Sequence, residues 1–199
     1  MSMYPEIDDK LMDLEEAVSR FIKDGCQLAI GGFTIVRNPR AIAYEIIRKG
    51  IRDIHLVCHS HGQALDVLLG AGCVKRLEIA YGGNGRYAPT CIRFKKAIQQ
   101  GELEFEDYSN YQMTLRFLAG ALGMSFISTK SGLGSDLLNF EGFSKETRTQ
   151  EKVANKKFAI MQNPFNEKDD EVVLLPALTP DVSITVSYTH LRAHETPEQ

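Results

Sequence analysis

Apolar residues along the chain follow two periods, one typical of amphipathic helices and one of short buried strands. A first helix is predicted by five apolar residues at helical spacing, which are Leu11, Leu14, Val18, Phe21 and Ile22. Gly25 follows this helix, and the apolar run at 28–30 predicts a buried strand that Gly31-Gly32 interrupts. Asn38-Pro39 then indicates a helix cap and a proline in the first helical turn. The first unit is therefore a strand, a glycine turn and a helix.

The same unit recurs along the rest of the chain. Further strands are predicted at 54–58, 77–81, 103–105 and 126–128. Helices are predicted around 64–69, at 89–100 and along an apolar face that runs from Tyr111 to Leu122. Short strands that alternate with helices are typical of a parallel sheet. We therefore expect an α/β fold with an open, mostly parallel sheet and helices on both faces.

Composition and charge exclude several classes of protein. The 199 residues are 43% hydrophobic and 25% charged, which is typical of a globular chain. A net charge of −3 lacks the broad basic field of nucleic-acid-binding domains, so no nucleic acid is expected as a partner. No apolar run approaches the ~20 residues of a membrane span, and residues 1–10 carry three acids and no signal-peptide core. We expect a cytoplasmic protein with no membrane partner.

Cysteine and histidine spacing gives no clear metal site. The four cysteines occur singly, without a C-x-x-C pair, so we expect reduced packing thiols. His55, His59 and His61 with Cys58 offer imidazole and thiolate ligands of the kind that zinc uses, but no fourth clustered ligand stands near them. We expect no metal. A polar loop at the mouth of a pocket and a structural role are the interpretations that remain for these histidines.

The loops after the strands are where a parallel sheet binds ligands. Gly31-Gly32-Phe33 lies between a buried strand and a helix, so its amides offer a site for a phosphate, a carboxylate or an oxyanion. A plain tight turn is the alternative, because glycine is the default residue of such turns. The loop contains no G-x-G-x-x-G and no Walker motif, which excludes those nucleotide fingerprints. Three further glycine-containing or polar loops, at 59–62, 82–86 and 131–136, also come after predicted strands.

The charged residues form no evident acid/base pair. Glu78, Glu104 and Glu106 alternate with apolar residues, so we expect them to face solvent or a helix end. The basic residues after the loop at 82–85 are Arg86, Arg93, Lys95 and Lys96. We favour a solvated helix face for them over contacts to a cofactor phosphate, and we expect the charged stretch at 143–157 to be an exposed helix or excursion. With no nucleophile elbow and no catalytic triad in the sequence, the chain is predicted to bind without a nucleophile of its own.

Seven short motifs, each weak alone, stand in one order over most of the chain. They are Asp24-Gly25 with 28–33 and Pro39, then 50–53, 72–76, 105–109, 132–136, 163–165, and 176–178 with 180–182. Together, from Leu14 to Thr185, they resemble the α subunit of family I CoA-transferases. The general signature has a glycine two residues before the proline, where this chain has Arg37, as glutaconate-type subunits tend to. The glutaconate CoA-transferase α subunit is therefore the branch that the chain resembles.

The resemblance implies a CoA-transferase-type fold, a partner β subunit of similar fold, and coenzyme A as a substrate with no permanently bound cofactor. In this family a glutamate attacks an acyl-CoA, forms a glutamyl-CoA thioester and passes CoA to a second carboxylate. That glutamate belongs to the β subunit, so no catalytic residue is expected in this chain. The resemblance places Gly31, Gly32 and Phe33 in the shared site, where their amides stabilise the oxyanion or hold a carboxylate. For the distal carboxylate of a dicarboxylic acyl group the candidates in strand-end loops are Arg37, Ser60 and Asn84.

Two other functions stay open from the sequence. One is a hydrolase or ring-opening enzyme on the same two-subunit scaffold, with water in place of the acceptor acid. The other is a non-catalytic anion-sensing domain, although such sensors usually carry a DNA-binding helix-turn-helix that the acidic balance disfavours. Residues 186–199 look like translated adapter sequence, so we expect an incomplete domain at 1–185 and a non-native tail at 186–199. Because family α subunits are longer, we expect a C-terminal truncation.

Overall fold

The computed structural model describes residues 11–166 and 170–186. The helices in this part are α1 (Leu14–Phe21), α2 (Arg40–Arg48), α3 (Gln63–Gly70), α4 (Ile92–Gln100) and α5 (Asn110–Ala121). Its strands are β1 (Gln27–Ile30), β2 (Phe33–Thr34), β3 (Ile54–His61), β4 (Val74–Gly82), β5 (Glu104–Asp107), β6 (Phe126–Thr129), β7 (Ala159–Gln162), β8 (Glu171–Pro176) and β9 (Val182–Ile184). No helix among the described residues is long and apolar enough to cross a membrane. The tail predicted at 186–199 lies outside the described residues from position 187 onward.

One sheet consists of parallel strands in the order β5-β4-β3-β1-β9, with β2 paired to β3. At its centre Leu28 of β1 pairs with Leu56 of β3, which in turn pairs with Leu77 of β4. The helices α2, α3 and α4 lie between consecutive parallel strands, which need such long crossovers. The predicted α/β fold with a mostly parallel sheet is confirmed.

The two faces of the parallel sheet pack against different layers. Residues at alternate strand positions, such as Leu28 and Leu56, pack with α1 to α4 in one buried cluster. The intervening positions, such as Ala29 and Val57, pack on the opposite face with Met113 of α5 and with β8. Helices therefore cover both faces, four of them on one face and α5 on the other.

A second, antiparallel sheet of β6, β8 and β7 lies beside α5. The strand predicted at 126–128 exists as β6, but it pairs with β8 and does not join the parallel sheet. Exposure alternates along β6 and β8, whereas every residue of β1 is buried. Such alternation is typical of antiparallel strands with one open face. The predicted strand of three residues, Phe126-Ile127-Ser128, is too short to reveal it.

Glu78 and Glu106 are buried, so the expectation that these strand carboxylates face solvent or a helix end is wrong. Glu78 is 3% exposed, and its carboxylate lies 2.5 Å from Arg116 Nη1 and 2.9 Å from His55 Nε2. Burial by itself raises the pKa of this carboxyl, but the charge of Arg116 and the contact with His55 lower the pKa to about 2. Glu78 is therefore an ionised link between β4 and α5.

The charged stretch at 143–157 is an excursion, but two of its cations are buried against the sheet. Arg148 pairs with Glu106 of β5. Lys157 is 1% exposed and donates to Asp107 Oδ1 at 3.0 Å and to two backbone carbonyls at 2.8 and 2.9 Å. A buried cation is stable only when it is paired with an opposite charge or hydrogen-bonded in this way. These two side chains therefore hold the excursion against the end of β5.

The substitution Arg116→Leu is expected to destabilise the fold by about 3–5 kcal/mol near neutral pH, because it leaves the Glu78 carboxylate buried without its cation. Urea unfolding at several pH values measures this loss. The deficit relative to the wild type should shrink as the pH falls, since protonation removes the buried charge of Glu78. In the wild type the folded pKa of Glu78 lies below the unfolded value of about 4.5, so its stabilisation is present above that pH and is lost as the pH falls toward 2.

Lys49→Met is the matched control for this prediction. Lys49 pairs with Glu15 on the surface, and loss of such a pair costs less than about 1 kcal/mol. If Arg116→Leu cost no more than Lys49→Met, the buried ion pair would not have the role assigned to it.

Candidate functional site

The carboxyl ends of β1, β3, β4 and β9 meet at one edge of the parallel sheet. From β1 the chain runs through α2 to β3 on one side, whereas β9 lies on the other side of β1. Ligands of such sheets bind where the order of the strands reverses in this way. Gly31, the residue after β1, lies at this switch point and donates its N–H to Ile184 O at 2.8 Å.

The segment at 31–38, which we call the glycine loop, begins with one extra residue. Strand β3 pairs first with β1 and then with β2, and the pairs on either side of the gap are Ala29↔Val57 and Phe33↔Ser60. Between them the β1–β2 side advances four residues and β3 only three, which is the count of a β-bulge. Gly32 has a φ of +110°, and a Cβ there would lie 2.6 Å from Arg37 O. The bulge therefore requires glycine.

After the bulge the glycine loop turns back through a two-residue tip. Phe33 and Val36 exchange two backbone hydrogen bonds, of 2.9 and 2.8 Å. Thr34 and Arg37 both have positive φ, at 50° and 53°. This conformation costs residues other than glycine about 1–3 kcal/mol each, so it persists only where the surroundings impose it.

Asn38 ties the glycine loop to the start of α3. Its Nδ2 donates to Thr34 O at 2.7 Å, and its Oδ1 accepts from Ala64 N at 3.1 Å. The prediction that Asn38 caps α2 is wrong, because Pro39 occupies the capping position and no side chain caps that helix. The amide of Asn38 instead satisfies an unpaired N–H in the first turn of α3.

His61 contacts the glycine loop from β3. The residue is fully buried, with Nε2 3.0 Å from Gly31 O and Nδ1 accepting the Gly62 N–H at 3.1 Å. Burial lowers the pKa of the imidazole, against the effect of its bond to Gly31. The sequence indicated only a polar loop or a structural role for His61. Its contact depends on the pairing of His61 with Thr34, which no local pattern reveals.

The three histidines face different partners. His55 contacts a glutamate of β4, His59 has its ring centroid 6.2 Å from that of Phe33, and His61 binds the glycine loop. Burial raises the pKa of the Cys58 thiol, which disfavours the thiolate that binds metals. Within residues 11–166 and 170–186, no three His, Cys, Asp or Glu side chains are grouped so that they could hold a metal ion.

The structure brings five of the six predicted substrate-binding residues together at the carboxyl edge, and they are Gly31, Gly32, Phe33, Ser60 and Asn84. Phe33 pairs with Ser60, and its side chain is 51% exposed. Asn84 lies against Gly62, where a Cβ would be 2.2 Å from Asn84 Oδ1. The sixth residue, Arg37, is exposed near the end of the glycine loop. Their roles as substrate ligands stay predictions.

Ser60 and Asn84 differ in what their polar atoms contact. Ser60 is fully buried, and its Oγ donates to Asn110 Oδ1 at 2.8 Å. Asn84 Oδ1 is buried and accepts no hydrogen bond from the part of the chain that the structure describes. The sequence patterns do not single out Asn110 as a site residue. The signal for it was the Ser109 and Gln112 pair of a capping box, which fixes the start of α5 at this edge.

Comparison with known proteins identifies a family for this chain. The family model described as Coenzyme A transferase matches residues 11–185. The A-type subunit of glutaconate CoA-transferase from Acidaminococcus fermentans is 36% identical over 176 residues, which cover 88% of this chain and 55% of that protein. The crystal structure of glutaconate coenzyme A-transferase from the same organism has a TM-score of 0.80 and covers 88% of this chain and 56% of that one, at 36% identity.

Two further proteins are similar to this chain. The A-type subunit of 3-oxoadipate CoA-transferase from Pseudomonas knackmussii is 33% identical over 178 residues, or 88% of this chain and 57% of that protein. The crystal structure of a variant of the decarboxylase AibA/AibB has a TM-score of 0.70 and 32% identity, over 86% of this chain and 60% of that one. The chain spans about half the length of the curated relatives it matches. With a family model matched over most of its residues, the chain belongs to the Coenzyme A transferase family.

Proposed function

We propose that the chain is the α subunit of a two-subunit CoA-transferase. The enzyme moves CoA between an acyl-CoA and a carboxylic or dicarboxylic acid such as glutaconate, through a glutamyl-CoA thioester on the β subunit. Two relatives support this reaction by name, because they are the A-type subunits of glutaconate and 3-oxoadipate CoA-transferases. Both of those acids are dicarboxylates.

The observation that carries the proposal is the Gly32 amide in the bulge. Its neighbours Gly31 and Phe33 donate their N–H groups to Ile184 O and Val36 O, but no atom of the described residues accepts from Gly32. An unused backbone donor at the switch point of a parallel sheet suits the oxyanion of a tetrahedral intermediate or a substrate carboxylate. One such donor contributes a factor of about 10²–10³ to kcat in acyl transfer.

The nucleophile of the proposed reaction comes from the partner. The loops at 31–38, 59–62 and 82–86 contain no glutamate. Glu78 and Glu106 lie within the strands and are paired with buried arginines, so their oxygens are already engaged. A glutamate of the β subunit therefore completes the site. Coenzyme A enters it as a substrate, and no resident cofactor is needed.

Arg37 is the exposed candidate for the distal carboxylate of a dicarboxylic substrate. Ser60 is fully buried and donates its hydroxyl to Asn110, and Asn84 Oδ1 is also buried. The Arg37 guanidinium supplies the charge, and hydrogen bonds with an ionised donor or acceptor are about twice as strong as those between neutral groups. We therefore assign the distal carboxylate to Arg37. We place the enzyme in the cytoplasm, where the free thiols of the described cysteines stay reduced.

A CoA-exchange assay tests the proposed function. Sequencing the source DNA beyond codon 186 identifies the reading frame and a neighbouring β-type gene, and the two subunits are then produced together. Glutaconyl-CoA and acetate should give acetyl-CoA and glutaconate in equal amounts, because the thioester passes CoA to the second acid. Hydroxylamine should trap that thioester as a hydroxamate on one glutamate of the β subunit, which mass spectrometry detects.

Other products would identify other reactions on this scaffold. Free CoA without acetyl-CoA contradicts transfer and favours a hydrolase. Loss of carbon dioxide with CoA retained in the product favours a decarboxylase, the activity named for one structural relative. An assembled protein that binds glutaconate and converts nothing favours an anion-sensing domain.

Arg37→Met should raise the KM for glutaconate by about 10–100-fold, because it removes a charged hydrogen bond worth about 1.5–3 kcal/mol. The KM for acetate should change little, since acetate has no second carboxylate. Steady-state kinetics with the two acids measure the difference. Arg40→Met is the matched control, because Arg40 is also exposed but lies in α2, outside the glycine loop. Equal losses with both acids would contradict the role of Arg37.

A further inference from the structure

The imidazole of His61 makes two hydrogen bonds, and together they fix its protonation. Gly62 N–H can only donate, so Nδ1, 3.1 Å away, is the acceptor and carries no proton. The single ring proton of the neutral form is then on Nε2, which donates to Gly31 O at 3.0 Å. A proton on Nδ1 would set two donors against each other in a fully buried site. The Nε2–H tautomer is therefore the one that satisfies both contacts.

The bond to Gly31 O sets the direction of the Gly32 amide. A trans peptide is planar, so its C=O and the N–H of the next residue point in opposite directions. With the Gly31 carbonyl held toward His61, the Gly32 N–H points away from β3. Glycine accepts both signs of φ, so a Gly-Gly peptide can rotate when nothing holds it. Rotation would place a carbonyl where the proposed donor stands.

We propose that His61 is a positioning residue that holds the Gly31-Gly32 peptide so that the Gly32 amide faces the bound acyl group or carboxylate. This inference rests on the proposed function, to which it adds the group that orients the donor. His61 touches no reacting atom, because its ring nitrogens are both engaged within the protein. Its side chain is also not needed for strand pairing. The backbone of His61 already pairs with Thr34 and Gly82, and its carbonyl accepts from Gly83 N at 2.9 Å.

Two substitutions separate positioning from packing. Glutamine carries an N–H donor at about the reach of the histidine Nε2, whereas asparagine reaches only as far as Nδ1. His61→Gln therefore keeps a donor for Gly31 O, and His61→Asn loses it. We expect His61→Asn to lower kcat for CoA exchange by about 10²–10³-fold with a much smaller change in KM, as for loss of an oxyanion donor. His61→Gln should recover most of kcat.

The experiment uses the assembled two-subunit enzyme, with melting temperature as the check on folding. Loss of kcat in His61→Asn with recovery in His61→Gln supports the proposal. It is overturned if His61→Asn turns over like the wild type, or if both variants are equally impaired while they melt like the wild type. If neither variant folds, nitrogen-15 NMR of histidine-labelled wild type decides instead. A protonated Nε2 with a bare Nδ1 supports the proposal, and any other form of His61 overturns it.

If the proposed transferase function fails, the measurements differ from those expected if only the positioning role of His61 fails. If the wild-type enzyme shows no exchange activity, the transferase assignment is wrong. The role of His61 is then tested by measuring glutaconate binding with calorimetry. A selective loss of affinity of about tenfold or more in His61→Asn, with His61→Gln close to the wild type, still supports a held carboxylate donor, since a hydrogen bond to a charged group is lost. Equal affinity in all three proteins overturns it.

Discussion

The site depends on a constraint of strand pairing, because β3 pairs along one side with two strands in succession. The chain between β1 and β2 must stay beside β3 and yet leave the ladder for one residue. Gly31-Gly32 does so by means of a bulge, and in a bulge the extra residue makes no ladder bond. The unused Gly32 amide therefore follows from the register of the sheet. Side chains orient this donor but do not create it.

Three parts of the fold hold the glycine loop from different directions. Gly31 bonds to the end of β9, His61 holds the loop to β3, and Asn38 joins it to α3. These contacts explain how Thr34 and Arg37 keep positive φ angles, because such strain persists where the surroundings over-determine the backbone. A loop fixed in this way needs no rearrangement when charge develops on a substrate, which is the condition for efficient electrostatic stabilisation.

The sequence predicts the parts of this structure whose signals are local. Strand and helix alternation gave the parallel sheet, and a glycine pair between a strand and a helix gave the position of the loop. The burial of Glu78 and Glu106 was out of reach, because the arginines that neutralise them lie 38 and 42 residues away. A glutamate between apolar residues gives the same pattern whether it faces water or a buried cation.

The candidate site shows the same division between local and long-range information. Position in strand-end loops was enough to select five residues that meet at one edge. The sequence could not show which polar atoms are already hydrogen-bonded, because their partners lie far along the chain. The Ser60 hydroxyl, for example, donates to Asn110, fifty residues away. The role of Asn38 was missed for the same reason, since its amide serves α3 and not the helix that follows it.

The tip of the glycine loop connects this geometry to the proposed second subunit. Phe33, Ile35 and Val36 expose apolar side chains next to the unused Gly32 amide. A donor open to water gains little from a new acceptor, because water already competes for it. When a substrate and the proposed β subunit cover the apolar tip, water leaves and the same hydrogen bond acts at a lower dielectric, where it is stronger. In the proposed reaction this chain thus contributes a prearranged donor, and full stabilisation of the oxyanion requires the cover that arrives with the nucleophile.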